Sequence, residues 1–164
     1  MNLKKIYLFF VFALVGTSIY AQNNAPTSKP TIIANLIRLV DIEDGGKVSA
    51  FLTAKRCIYV GKKRVDDKLY YMYKAPKRFS SYGIEIPDHA GKAVSSAFYT
   101  TLSIDEYTSV LDQLKNEDYQ LHDNDGSNPN FLTYAKGDNL ITISVANTTK
   151  KPYYMIAASK LAIY

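Results

Sequence analysis

Cys57, His89 and His122, together with Ser80 and Ser81, are the residues from which this chain of 164 amino acids could assemble a nucleophile and a base. Nucleophilic hydrolysis needs a thiol or hydroxyl within hydrogen-bond reach of an imidazole, and positions far apart in sequence can supply it. Nothing in the spacing brings these residues together. Cys57, the single cysteine, lies between Arg56 and Ile58 in an apolar stretch, where a lone thiol behaves as a small buried hydrophobe. Asp88-His89 and His122-Asp123 place acids beside imidazoles, yet adjacent residues on a strand point to opposite faces. The chain has neither a Gly-x-Ser-x-Gly elbow nor a Ser-x-x-Lys motif, so no local signature of a serine hydrolase is present. An envelope hydrolase whose Ser/Cys-His site assembles in space stands as an alternative, and the expectation is a protein without catalytic activity.

Metal and phosphate chemistry find little more. Two isolated histidines cannot fill a three-ligand zinc site, and His-Glu-x-x-His is absent. Asp123-Asn-Asp125-Gly126 resembles part of an EF-hand loop. With Gly126 at the sixth position, however, Leu121 and Leu132 would occupy positions that need side-chain oxygens. Asp118, Asp123, Asp125 and Asn128 leave a looser calcium site as an alternative to a plain Asx-turn loop. Gly91-Lys92 lacks the flanking residues of a phosphate-binding loop. No cofactor and no metal are expected.

What the chain does carry is segregated charge. Residues 47–78 hold ten Lys or Arg against Asp66 and Asp67, a net of +8. Residues 103–126 hold seven acids against Lys115, a net of −6. Within the basic stretch Lys62, Lys63 and Arg64 are accompanied by Tyr70, Tyr71 and Tyr73, six to eleven positions further on. Tyrosine offers a flat apolar face with a polar tip, and clustered cations attract anions. These six residues are the candidate contacts for an anionic envelope polymer or an acidic protein. Two plainer alternatives exist. The lysines can be a solvated strand pair that resists edge-to-edge association, or they can lie against the acidic segment. Nucleic acid fits poorly, because no nucleic-acid motif accompanies the modest net charge of +5.

Export sharpens the choice of partner. Lys4 and Lys5 precede the apolar run Ile6–Val15, and small and polar residues lead to Ala21; this is the pattern of a secretory signal peptide over residues 1–21. The run is about half the length a spanning helix needs, so no membrane span is expected after cleavage. A secreted or periplasmic protein follows, with residues 22–30 as a flexible leader and 31–164 as a single domain. Removing Lys4 and Lys5 leaves a net charge of +3.

The elements that must position the candidate residues are mainly strands. Ile32–Ile42 is rich in β-branched residues and reads as a strand, with a helix as the alternative because Ile32, Leu36 and Val40 are spaced by four. Asp44-Gly-Gly reads as a hairpin turn into a strand over Val48–Val60, whose even positions are mostly apolar. Leu69–Tyr73, Tyr82–Ile86, Val94–Leu102, Tyr119–Leu121, Phe131–Ala135, Leu140–Ala146 and Tyr153–Ser159 follow as further strands. The single principal helix, 103–117, opens with Ser103 and Glu106 as a capping box and carries the stripe Ile104, Tyr107, Val110, Leu111 and Leu114. An α+β domain is expected: a mainly antiparallel sheet of about seven or eight strands, with the helix packed on one face. An inhibitor or immunity-type protein, presenting the loop 123–130, is a further alternative within the same architecture.

Overall fold

The computed structural model of the protein describes residues 31–65, 68–77, 79–87, 94–123, 131–147 and 151–161. The expected signal peptide and leader, His89, Arg78 and the loop 124–130 lie outside the described residues.

Thr31 opens the first helix rather than a strand. Its Oγ1 accepts the Ala34 N–H at 3.2 Å, satisfying one of the orphan donors at a helix start, and α1 runs Ile32–Val40. Ile33, Leu36, Leu39 and Val40 are buried along one side, while Arg38 is exposed in the last turn. β-Branching costs a helix only a few tenths of a kcal/mol per residue, far less than burying this stripe returns.

The Asp44-Gly-Gly turn likewise opens a helix. Asp44 Oδ1 accepts the Gly46 N–H at 3.0 Å, and α2 follows over Gly46–Ala54. Only Val48 and Leu52 are buried in α2, four residues apart. Ala50 and Ala54, which alternation would place inside, are exposed. Arg56 then adopts a left-handed φ of 62°, and the Cys57 N–H reaches back to the Leu52 carbonyl at 3.0 Å. This is the Schellman geometry that ends helices. The strand expected from Val48 begins only at Ile58.

That strand, β1, spans Ile58–Val65 and runs on through Gly61–Val65, where a charged turn over 61–68 is expected. The remaining strands fall close to where the sequence places them: β2 Lys68–Lys74, β3 Ser81–Glu85, β4 Ser96–Thr101, β5 Gln120–Asp123, β6 Phe131–Lys136, β7 Asn139–Asn147 and β8 Pro152–Lys160. They form one antiparallel sheet in the order β1-β2-β3-β4-β8-β7-β6-β5. Each half is a four-strand meander, the first preceded by α1 and α2 and the second by one further helix, and the last strands of the two halves pair at the centre.

The principal helix α3 spans Ile104–Asn116, and the Ser103 hydroxyl accepts the Glu106 N–H at 3.3 Å. The capping box is only half made. The Ser103 N–H donates to Thr101 Oγ1 at 3.0 Å, and Glu106 turns its carboxylate inward. Val110 and Leu114 are buried, as the stripe requires, whereas Ile104 is 54% exposed.

Among the described residues all three helices lie on one sheet face. Packed against them are Tyr73, Tyr82, Ile84, Ala97, Tyr99, Ile141, Ile143, Ile156 and Ala158. The α1 helix crosses the central strands β4 and β8, and Gln113 in the last turn of α3 donates to Thr31 Oγ1 at 2.6 Å, tying the start of α1 to the end of α3. On the other face the Phe98 ring occupies the space above Gly83, its cross-strand neighbour; a Cβ there would sit 2.1 Å from the ring. That close approach explains a glycine in a central strand.

Candidate functional site

The basic, tyrosine-bearing segment folds as the β1–β2 hairpin at one edge of the sheet. Its register pairs Lys62 with Tyr71, Lys63 with Tyr70 and Arg64 with Leu69. Directly paired residues share a face, so the six candidate residues divide. Lys62, Arg64, Tyr71 and Tyr73 belong to the helix-side face, and Lys63 and Tyr70 to the opposite one.

On the helix side the Lys62 ammonium stands 4.8 Å from the Tyr71 ring centroid, a cation–π contact worth about 0.5–1 kcal/mol at an exposed site. Tyr73 is 5% exposed; its ring meets Tyr59 at 5.2 Å in a tilted pair. Burial raises the Tyr73 phenol above its ordinary range, with the Ser49 hydroxyl opposing. Tyr73 is therefore core first and contact surface second. On the far side Tyr70 is half-buried and meets Phe98 edge-on at 5.2 Å.

Tyr71 and Tyr73 also floor a cleft of about 350 Å³, walled by Gly45, Gly46, Val48 and Ser49 at the start of α2 and by Ile86 beyond β3. The lining is mostly apolar, and Lys62 stands beside it over Tyr71.

Among the described residues no carboxylate pairs with the cluster. Among the described residues the ion pairs are Lys68–Glu85, Lys77–Glu106, and Lys160 with Asp41 and Asp138. None reaches Lys62, Lys63 or Arg64, all of which are exposed. Among the described residues the acidic helix pairs with the basic stretch at Glu106, which takes Lys77.

The candidate nucleophiles and bases do not converge. Cys57 is buried beside β1, and desolvation raises its thiol pKa, opposed by Lys55. His122 is exposed on β5, the opposite edge of the sheet. Ser80 is buried and donates to Thr101 Oγ1 at 3.3 Å, and the Ser81 and Thr100 hydroxyls meet at 2.7 Å. Among the described residues no three His, Cys, Asp or Glu side chains gather in a way that could hold a metal ion, and no helix is long and apolar enough to cross a membrane.

Sequence reading missed one cluster. Glu106 is 9% exposed, accepts the Tyr99 hydroxyl at 2.9 Å and pairs with Lys77. An acid three residues after a helix cap ordinarily returns to the cap, and only the fold shows Tyr99 and Lys77 drawing it away. Compared with known proteins, the chain matches no family model, no curated protein and no solved structure.

Proposed function

We propose that this is a secreted or periplasmic binding protein without catalytic activity, which engages an anionic envelope polymer or an acidic protein through the β1–β2 hairpin. One observation carries the reading. Lys62, Lys63 and Arg64 have no carboxylate partner among the described residues, although Lys68, Lys77 and Lys160 each find one. Three adjacent exposed cations repel one another, and an external anion relieves that repulsion. Tyr70 and Tyr71 flank them with flat apolar surface, suited to a sugar ring or a peptide side chain.

The experiment measures binding of polyglutamate and polygalacturonate to the wild-type protein and to the triple variant Lys62→Glu, Lys63→Glu, Arg64→Glu. Wild-type binding should weaken as salt rises, since exposed charges are screened over about 10 Å at 0.1 M. The triple variant should bind at least about tenfold more weakly and lose most of that salt dependence. Equal binding by the two proteins refutes the assignment to this hairpin.

The location has its own test. Mass spectrometry of the exported protein should find Gln22 as the first residue, in agreement with cleavage after Ala21. An intact leader on protein retained in the cytoplasm would remove the envelope from the proposal.

A further inference from the structure

The β1 strand is one of two edges of the sheet, and it is the longer: eight residues against four for β5. An edge strand offers a row of backbone donors and acceptors to another chain. Its side chains are unusually apolar at one end, with Ile58 65%, Tyr59 48% and Val60 60% exposed. The register then steps from Tyr59↔Tyr73 to Gly61↔Met72, leaving Val60 as the extra residue of a bulge, and Gly61 takes a φ of 126° that other residues rarely adopt. Beyond the bulge come Lys62, Lys63 and Arg64.

The orientation of those cations selects the kind of partner. Lys62 and Arg64 belong to one face and Lys63 to the other, as their pairing with Tyr71, Leu69 and Tyr70 requires. A ligand lying flat on either face reaches part of the cluster. A chain running along the edge has neighbours on both faces at about 5 Å and can meet all three. Such a chain cannot be a second β1, because two copies would bring six cations together, and that repulsion is how lysine-bearing edges resist self-pairing.

We infer that β1 takes up an extended acidic segment of a partner protein by strand addition, with consecutive acids against Lys62–Arg64 and an adjoining apolar stretch against Ile58–Val60. The inference rests on the anionic recognition proposed above and commits it to a polypeptide. Main-chain hydrogen bonds supply affinity in this mode, and the alternating side chains supply selectivity.

The probe is a short synthetic peptide with a run of glutamates next to a Val-Thr-Val stretch, alongside two versions N-methylated on alternate amides. An added strand turns every second amide toward its neighbour. One methylated peptide should therefore bind at least about tenfold more weakly while the other retains affinity. The triple charge-reversal variant should lose the unmodified peptide. If both methylated peptides bind like the parent, or polygalacturonate binds and the peptide does not, strand addition is wrong while anionic recognition by the hairpin stands. If neither peptide nor polyanion binds, both readings fall. Sedimentation showing a dimer that the peptide cannot disrupt would give the edge to a second copy and overturn the inference.

Discussion

Leu36→Ala is expected to lower the unfolding free energy by about 4–5 kcal/mol, the upper part of the range for a leucine truncated in a tight core. Leu36 is 0% exposed, as is Leu39 one turn further along α1, and Ile33 is 1% exposed. The helix lies across β4 and β8, where the two meanders join. Beneath it Ala97 and Ala158 are fully buried, each at 0% exposure. These short side chains let the helix approach closely, so a void left by Leu36 has little room to collapse. Urea unfolding followed by circular dichroism measures the loss. Ile104→Ala provides the contrast: Ile104 sits on the apolar stripe of α3 but is 54% exposed, and its truncation should change stability by less than about 0.5 kcal/mol. Equal effects from the two substitutions would mean that α1 does not close the core.

The same comparison shows what sequence patterning can and cannot resolve. The strands of the second half and the principal helix are legible because each repeats one period between clear turn residues. Ile32–Val40 is not, since a helix and a strand both satisfy a run of Ile, Leu and Val. What separates them is Thr31, whose hydroxyl caps the helix at Ala34, and a hydroxyl immediately before a periodic run is a signal the sequence does contain. The misreading of Val48–Val60 has a different origin. Small alanines at Ala50 and Ala54 count as apolar in an alternation, yet both are exposed, and only Val48 and Leu52, one helical turn apart, are buried.

For the proposed binding surface, the sequence identifies which residues cluster and leaves open whether carboxylates cover them. The answer depends on the register of β1 against β2 and on how few acids of α3 reach the basic stretch. Neither is encoded locally. The register also makes Tyr73 a core residue and divides the cations between two faces, which a count of charges cannot reveal.

Glu106 carries the second large effect. Glu106→Ala is expected to cost about 3 kcal/mol, because it leaves the buried Tyr99 hydroxyl without its acceptor and removes the partner of Lys77. Lys77 is 70% exposed and returns to water, which keeps the cost at the lower end for a broken pair. Glu106→Gln retains an acceptor for Tyr99 and should cost about half as much. The pH dependence separates charge from packing. Burial by itself pushes the Glu106 carboxyl up, but hydrogen bonds from Lys77, Thr101 and Tyr99 and the charge of Lys77 outweigh it, so its pKa lies below the ordinary carboxyl value. The native state therefore binds the proton less readily than the unfolded chain. The resulting stabilisation is fully present above about pH 4.3, the value for an unfolded Glu, and is lost as the pH falls through the lower folded value. The advantage of wild type over Glu106→Gln should hold from about pH 7 down to about pH 4.3 and shrink as the pH falls further, while Glu106→Ala stays below both because Tyr99 still lacks an acceptor. A wild-type advantage over Glu106→Gln that does not shrink with acid would show that the carboxylate charge contributes nothing to the fold.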